Sequence, residues 1–391
     1  MNVALVILHA DPAKGGAETY TVDLARALCG RGHSVSMLAA SLAESLDPRI
    51  EKVPLTFRGP TRLWRYQRFL FALDEVLHKR KFDVVHAMLP VRRCDLYHPH
   101  AGIAAEAVAS GHRKHITPLG RAASRLANTV NRKRQFFAAV ERRLLLHEPP
   151  PAGRKNPPLV ICLSDYIKAS VRRFYPLPDE QLVTLINAVD LAKFEPNVAK
   201  ASGTEVRARF GIKDDQVVAL IVAQDFARKG LREAIEAWRQ ANDERLVLLV
   251  VGKDNFAPYA KLVENAPFAK NVIYAGATRD VRPFYAAADC FVLPTRHDPC
   301  SLVVLEALAM GLPVISTRFN GACEVMSEGV HGFVLPDPED VSALARAMQT
   351  MLNDQSRIAM HKSCLALRPR LAYEHHLNQL MTFYERAIAR R

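Results

Sequence analysis

An α/β protein built on two doubly wound parallel sheets is the fold class that this sequence predicts, on three observations. Short apolar runs of strand length alternate with amphipathic stretches of helical period, and the series occurs twice, before and after about residue 185. The loops that follow the apolar runs are polar or glycine-bearing, as in Lys14-Gly-Gly16 and Gln224-Asp-Phe-Ala-Arg-Lys-Gly230. The chain has 391 residues, more than one average domain, and 49% of them are hydrophobic, enough for two cores.

The first series opens with Asn2–Leu8, an apolar run that reads as a buried strand. The loop His9–Gly16 leads into a helix from about Ala17 to Cys29, which the turn Gly30-Arg-Gly-His33 stops. Ser34–Ala40 is the second strand and Val53–Leu55 a short third. Thr61–Lys79 reads as a helix with Arg62, Arg65 and Arg68 at helical spacing, and Asp83–His86 as the next strand. Ala104–Leu146 reads as mostly helical and strongly basic, and Pro149, Pro150, Pro151, Pro157 and Pro158 mark a loop. Leu159–Leu163 is a strand and Asp165–Phe174 a helix.

In the second series Val217–Ala223 is a strand, Gln224–Gly230 a loop, Leu231–Gln240 a helix and Leu246–Gly252 a strand. Val272–Tyr274 and Cys290–Leu293 read as strands, with the helix Val281–Ala287 between them. Ser301 is in place to cap a helix that Gly311 stops, with Pro313 just beyond and the strand Val314–Thr317 after it. Asp340–Leu352 is helical, and the tail from about Tyr373 is a final amphipathic helix. The expected division falls at about residue 185, where the second series starts. Parallel sheets of this kind bind ligands beyond the C-terminal ends of their strands. The loops Lys14–Gly16, Gln224–Gly230, Gly276–Asp280 and Thr295–Ser301 are therefore the expected lining of a cleft between the domains.

The most telling stretch runs from Asp298 through Glu306 to Val314. It sets one carboxylate in front of a helix N-terminus, which favours phosphate, and another inside an otherwise apolar helix. A buried carboxylate needs a polar partner, and a ligand rich in phosphate and hydroxyl groups would serve both. Taken alone, an ordinary helix edge explains the spacing as well. Arg228 and Lys229 place two cations after a strand, where they can hold a diphosphate and stabilise it as it leaves. Gly15-Gly16 permits close backbone approach, but neither a dinucleotide fingerprint nor a Walker loop is present. His98-Pro-His100 lacks a third ligand for a metal, and no D-x-D element occurs, so cationic side chains are the expected phosphate partners.

The net charge of +13 is one-sided. Residues 1–186 hold 28 Lys and Arg against 16 Asp and Glu, whereas residues 187–391 hold 25 against 24. Within residues 58–155 the balance is 20 against 7, which points to an anionic partner of that half, such as nucleic acid, anionic lipid or a phosphorylated glycan. The seven scattered cysteines, without a C-x-x-C pair, suit a reducing compartment rather than a disulfide framework. The N-terminus lacks a basic leader, and no apolar stretch is long enough to span a bilayer. A cytoplasmic protein is expected, at most peripheral on the cytoplasmic face of the inner membrane.

Taken in order, Gly15-Gly-Ala-Glu18, Asn187-Ala-Val-Asp190, Arg228-Lys-Gly230, Asp298 with Glu306, and Gly321-Ala-Cys-Glu324 resemble the motifs of the retaining glycosyltransferases of family 4, which have the GT-B fold. The likeness covers essentially the whole chain. Within the family, Gln224–Gly230 and Arg92–Tyr97 are similar to loops of the lipopolysaccharide-core heptosyl-I glucosyltransferases. The resemblance implies two Rossmann-like domains: residues 1–185, joined by the C-terminal helix 374–391, for the acceptor, and residues 186–373 for a nucleotide sugar. It implies that Arg228 and Lys229 bind the departing diphosphate, that Glu306 holds the ribose hydroxyls and that Asp298 positions the donor sugar. Gly15 and Gly16 lie near phosphates or acceptor, Cys300, Ser301 and Leu302 belong to the donor loop, and His100 touches the sugar near the reacting carbon.

The implied reaction moves a hexose, glucose foremost, from UDP-glucose to a lipopolysaccharide-core or other lipid-linked glycan, with no metal and no further cofactor. The basic half would meet an anionic membrane, and no nucleic acid is expected as a partner. A family 4 mannosyltransferase, a nucleotide-sugar epimerase, a nucleic-acid-binding protein and an inactive scaffold are the other readings. The chain departs from the family where Asp298 stands for the usual Glu and Pro299-Cys-Ser301 for Gly-Phe-Gly, so a phosphate contact must come from N–H groups beyond Pro299.

Overall fold

The computed structural model describes residues 1–110, 131–146 and 156–390. The chain divides into two compact units: Met1–Ile186 together with the C-terminal residues from Tyr373, and Asn187–Ala372. Among the described residues each unit holds one sheet, and every pairing is parallel. The α/β class with two doubly wound sheets is thus as the sequence predicts.

In the first unit the strands are β1 (Asn2–Ala10), β2 (Ser34–Leu42), β3 (Glu51–Pro54), β4 (Val84–Ala87), β5 (Leu96–Tyr97), β6 (Leu159–Cys162) and β7 (Leu182–Thr184). Their order, β3-β2-β1-β4-β5-β6-β7, reverses direction between β1 and β4. β1 is central, and Val3, Ala4, Leu5 and Val6 are wholly buried, which is why it reads as an uninterrupted apolar run. Its helices include Gly16–Gly30, Arg62–Lys79 and Asp165–Phe174. The oxygens of Thr61 and Ser164 cap the latter two by accepting from Trp64 N and Ile167 N.

The expected helix Ala104–Leu146 is described as Ala104–Ser110 and Arg132–Leu146, and its middle lies outside the described residues, as do Pro149, Pro150 and Pro151. Glu141 of the second piece is buried, yet its carboxylate accepts from the hydroxyls of Tyr97 and Tyr175 and from the N–H groups of Ala104 and Ala105. That cage offsets the cost of burying a carboxylate and ties this helix to the start of Ala104–Ser110.

The second unit contains β8 (Val217–Val222), β9 (Leu246–Val251), β10 (Val272–Gly276), β11 (Cys290–Leu293), β12 (Val314–Thr317) and β13 (Gly332–Leu335), in the order β10-β9-β8-β11-β12-β13. Direction reverses between β8 and β11. Every residue of β8, β9, β11 and β12 is buried. The strands β5, β7 and β13 escaped the sequence reading; β5 and β7, of two and three residues, are too short for a measurable period. Helices Pro196–Arg209, Ala257–Val263 and Asp354–Ala366 also escaped it.

The final helix, Tyr373–Ala389, packs into the first unit through a buried polar cluster. Nε2 of His376 lies 2.8 Å from the Tyr20 hydroxyl, and its Nδ1 lies 2.8 Å from the Ile186 carbonyl. The Tyr384 hydroxyl lies 3.0 Å from Nδ1 of His86, whose Nε2 lies 3.2 Å from Nδ1 of His98. Burial pushes His86 down to about 3 and His376 down to about 4 from the ordinary 6.5. In the unfolded chain both rings take up protons as pH falls through 6.5, whereas the folded rings stay neutral. Stability is therefore fully present above pH 6.5 and is lost as pH falls towards about 4 and 3. Thermal unfolding followed from pH 7 to pH 4 should show this loss, and His86→Asn should flatten its slope.

Candidate active site

The site builds from two loops on either side of the reversal in the second sheet. After β8, Asp225 accepts from the backbone N–H of Arg228, 3.1 Å away, and caps a single helical turn, Phe226–Lys229. The sequence reading took Gln224–Gly230 as loop throughout, and the cap explains the difference, since it closes one turn on its own. Gly230 ends the turn at φ +79, and the helix Leu231–Ala241 starts at once. A Cβ at Gly230 would stand 2.3 Å from the Pro294 carbonyl oxygen, so both conformation and space require glycine there.

The loop after β11 locks onto this turn. Arg296 N donates to the Arg228 carbonyl at 3.0 Å, and the Thr295 hydroxyl donates to the same carbonyl at 3.2 Å. Arg228 in turn donates from Nη1 to the His297 carbonyl at 2.8 Å and from Nε to Asp225 at 3.3 Å. Lys229 and Asp298 form a buried ion pair through Nζ and Oδ2. The two residues are 9% and 7% exposed, so the pair stands where water screens it little. Burial lowers the Lys229 ammonium below the ordinary lysine range, against the pull of Asp298. Burial would raise Asp298, but Lys229, Arg228 and a hydrogen bond with Ser301 outweigh it and hold the carboxyl below its usual value.

Asn320 organises the rest. Its Oδ1 accepts from Ser301 N and Ala322 N, each at 3.2 Å, and its Nδ2 donates to Ser316 Oγ at 3.2 Å. Asp298 N donates to the Phe319 carbonyl at 2.8 Å, and Gly321 N donates to the Asp298 carbonyl at 3.0 Å. Ser301 occupies the expected cap position of the helix Leu302–Ala309, but its hydroxyl makes no cap bond. That hydroxyl goes to Asp298, and Asn320 separately takes the N–H of Ser301. The sequence reading missed Asn320. Its signal was the Asn320-Gly321 pair directly after a strand, a turn marker. Cys300 is buried, its thiol is pushed up by burial, and its carbonyl accepts from Asn187 Nδ2 at 3.1 Å.

Glu306 lies half-buried in the Leu302–Ala309 helix, and Leu302 begins that helix. The polar partner that Glu306 requires is partly internal, because the Tyr285 hydroxyl donates to its Oε2 at 2.8 Å. The tyrosine thereby fixes the carboxylate within the helix. Of the residues singled out from sequence, the second unit therefore gathers Arg228, Lys229, Asp298, Cys300, Ser301, Leu302 and Glu306 around one sheet end.

Gly15, Gly16 and His100 belong to the first unit. Gly15 has extended backbone and Gly16 starts the first helix. The His100 ring lies 4.3 Å from Tyr20 and 4.1 Å from His98, and burial, followed by the charges of His86 and His376, pushes its pKa well down. His100 Nε2 is buried without a hydrogen-bond partner among the described residues. A neutral imidazole with an unspent nitrogen can meet a sugar hydroxyl as donor or acceptor. Among the described residues no three His, Cys, Asp or Glu side chains group to hold a metal ion, and no helix is long and apolar enough to cross a membrane.

Residues 14–193 match the family described as Glycosyltransferase Family 4, and residues 203–365 match Glycosyl transferases group 1. The lipopolysaccharide core biosynthesis glycosyltransferase LpsE of Rhizobium meliloti (strain 1021) is 33% identical over 46% of this chain and 50% of its own. The lipopolysaccharide glucosyltransferase WaaG of Escherichia coli (strain K12) is 31% identical over 41% and 42%. The chain thus spans about half the length of these curated relatives. Among solved structures, that of WaaG superposes with a TM-score of 0.75 at 23% identity, covering 99% of this chain and 98% of the other. Anabaena HepE in complex with UDP-glucose superposes with a TM-score of 0.70 at 18% identity, covering 97% and 98%. At these identities the superpositions establish the GT-B fold.

Gly230→Ala tests the lock between the two loops. It should cost about 1–3 kcal/mol from the left-handed conformation, plus the clash with Pro294. Chemical denaturation should show the midpoint falling with the slope unchanged.

Proposed function

Since the chain belongs to the GT-B glycosyltransferases of group 1 and family 4, we propose that it transfers a hexose, glucose foremost, from a UDP-sugar to a glycan acceptor with retention at the anomeric carbon. The observation that carries the reading is the buried Lys229–Asp298 pair beside Arg228 at the reversal of the second sheet. Ligands of such sheets bind at that reversal.

In this reading Arg228 and Lys229 take the diphosphate. An ammonium has three N–H groups and the Asp298 contact uses one, so Lys229 can hold Asp298 and a phosphate oxygen together. The N–H groups at the start of the Leu302–Ala309 helix add donors beyond Pro299, and Glu306, fixed by Tyr285, takes the ribose hydroxyls. As the bond from the anomeric carbon to the phosphate oxygen breaks, the acceptor oxygen bonds to that carbon from the same face. The acceptor's proton passes to the leaving phosphate, and Arg228 and Lys229 stabilise the charge that develops on it. Asp298 positions both the lysine and the donor sugar, and His100 meets a sugar hydroxyl. The first unit binds the acceptor, a lipopolysaccharide-core or other lipid-linked glycan, and its basic surface holds the protein at an anionic membrane. Support comes from the UDP-glucose bound by HepE and the lipopolysaccharide glucosyltransferase activity named for WaaG.

Purified protein given UDP-glucose without acceptor should hydrolyse it slowly. Lys229→Ala should lower that turnover roughly 10²- to 10³-fold, the usual effect of removing one group that stabilises developing charge. Undiminished turnover in Lys229→Ala would sink the phosphate assignment, and faster turnover of GDP-mannose would select the mannosyltransferase instead. Anionic vesicles should retain the protein at low salt and neutral ones should not. Equal recovery from both would remove the membrane.

A further inference from the structure

The four donors that satisfy the Glu141 carboxylate fall into two sets. Oε1 accepts from the Tyr97 hydroxyl at 2.6 Å and from Ala104 N at 3.0 Å. Oε2 accepts from the Tyr175 hydroxyl at 2.8 Å and from Ala105 N at 3.1 Å. Tyr97 ends β5, and Ala104 begins the helix Ala104–Ser110. Between them runs only the loop 98–103, which carries His98 and His100. One wholly buried carboxylate, brought by the helix Arg132–Leu146, thus holds both ends of that loop.

Inside the loop the chain is tightly folded. His98 N donates to the Ala87 carbonyl at 2.8 Å and Gly102 N to the Pro99 carbonyl at 2.9 Å, with Gly102 at φ +78. Ile103 is buried at the far end. The His100 ring packs between Tyr20 and His98, with centroids 4.3 and 4.1 Å away. Its Nε2 is buried without a hydrogen-bond partner among the described residues. The place of that nitrogen therefore comes from ring packing and from the backbone that Glu141 holds.

An amide cannot do the work of this carboxylate. In Glu141→Gln one oxygen becomes an NH2 group, which donates and does not accept. A tyrosine hydroxyl facing that group can turn and accept from it, whereas a backbone N–H cannot. Whichever way the amide lies, Ala104 N or Ala105 N loses its acceptor, while the size of the side chain hardly changes. We propose that Glu141 is a positioning residue, which sets the loop 98–103 so that the His100 imidazole meets the donor sugar. The sugar contact rests on the transferase reading above, whereas the hold on the loop stands on its own geometry.

The test compares the full chain with Glu141→Gln, His100→Ala and the double variant. Hydrolysis of UDP-glucose should fall about tenfold in Glu141→Gln, the effect of one lost hydrogen bond. Calorimetry should show UDP affinity unchanged, because UDP lacks the sugar. In the His100→Ala background Glu141→Gln should cost nothing further, since the group it places is gone. Additive losses, undiminished hydrolysis by His100→Ala, or UDP affinity falling in step with hydrolysis would overturn the proposal and leave Glu141 a support of the fold. Where Glu141→Gln does not fold, Tyr97→Phe removes one donor to the same carboxylate and should show the same non-additivity with a smaller loss. Hydrogen exchange reads the loop directly: residues 98–105 should exchange faster in Glu141→Gln, and the strands of the second unit should not. Faster exchange beside a wild type that leaves UDP-glucose intact refutes the transferase reading and keeps the hold on the loop. Hydrolysis by the wild type with unaltered exchange in the variant refutes the hold alone.

Discussion

Lys229 and Asp298 come from two loops that approach only because the second sheet reverses direction between β8 and β11. Neither charge would be tolerated at that depth without the other, since an unpaired buried ion costs several kcal/mol. The pair therefore constrains its surroundings. It fixes where the turn Phe226–Lys229 ends and where the segment before the Leu302–Ala309 helix begins. Gly230 has to be glycine because that loop passes so close to Pro294, and Asn320 holds the segment before the helix by accepting from the N–H groups of Ser301 and Ala322.

Such a site is pre-formed. Its cationic groups are already oriented by partners within the protein, so a diphosphate does not have to order them on arrival. In the proposed reaction the ligand would have to share Lys229 with Asp298 and Arg228 with Asp225. A nucleoside diphosphate would do so because it brings more negative charge than either carboxylate, and it would be held most tightly once the glycosyl bond had broken and its charge had grown. Binding that strengthens along the reaction lowers the barrier, whereas binding that is uniform does not.

The fold was legible wherever burial imposes a pattern. β1, β8, β9 and β11 are buried along most of their length and read as apolar runs, so the sequence places them to within a residue or two. Strands as short as β5 and β7 carry no period, and their register comes from neighbours that a linear reading does not see. The same division runs through the site. Arg228, Lys229, Asp298 and Glu306 stood out because charge in such settings demands a reason. Asn320 and Tyr285 did not, because their work is to satisfy a backbone N–H or a carboxylate from another part of the chain. Local signals could locate Ser301 at the helix start, but not that a closer competitor takes its hydroxyl.

In the second unit Arg228 and Lys229 each have a carboxylate neighbour, Asp225 and Asp298, which offsets the repulsion between two adjacent cations and keeps the free protein stable. A ligand that engages these cations has to compete with those carboxylates, so the arrangement favours a strongly charged group over a weakly charged one.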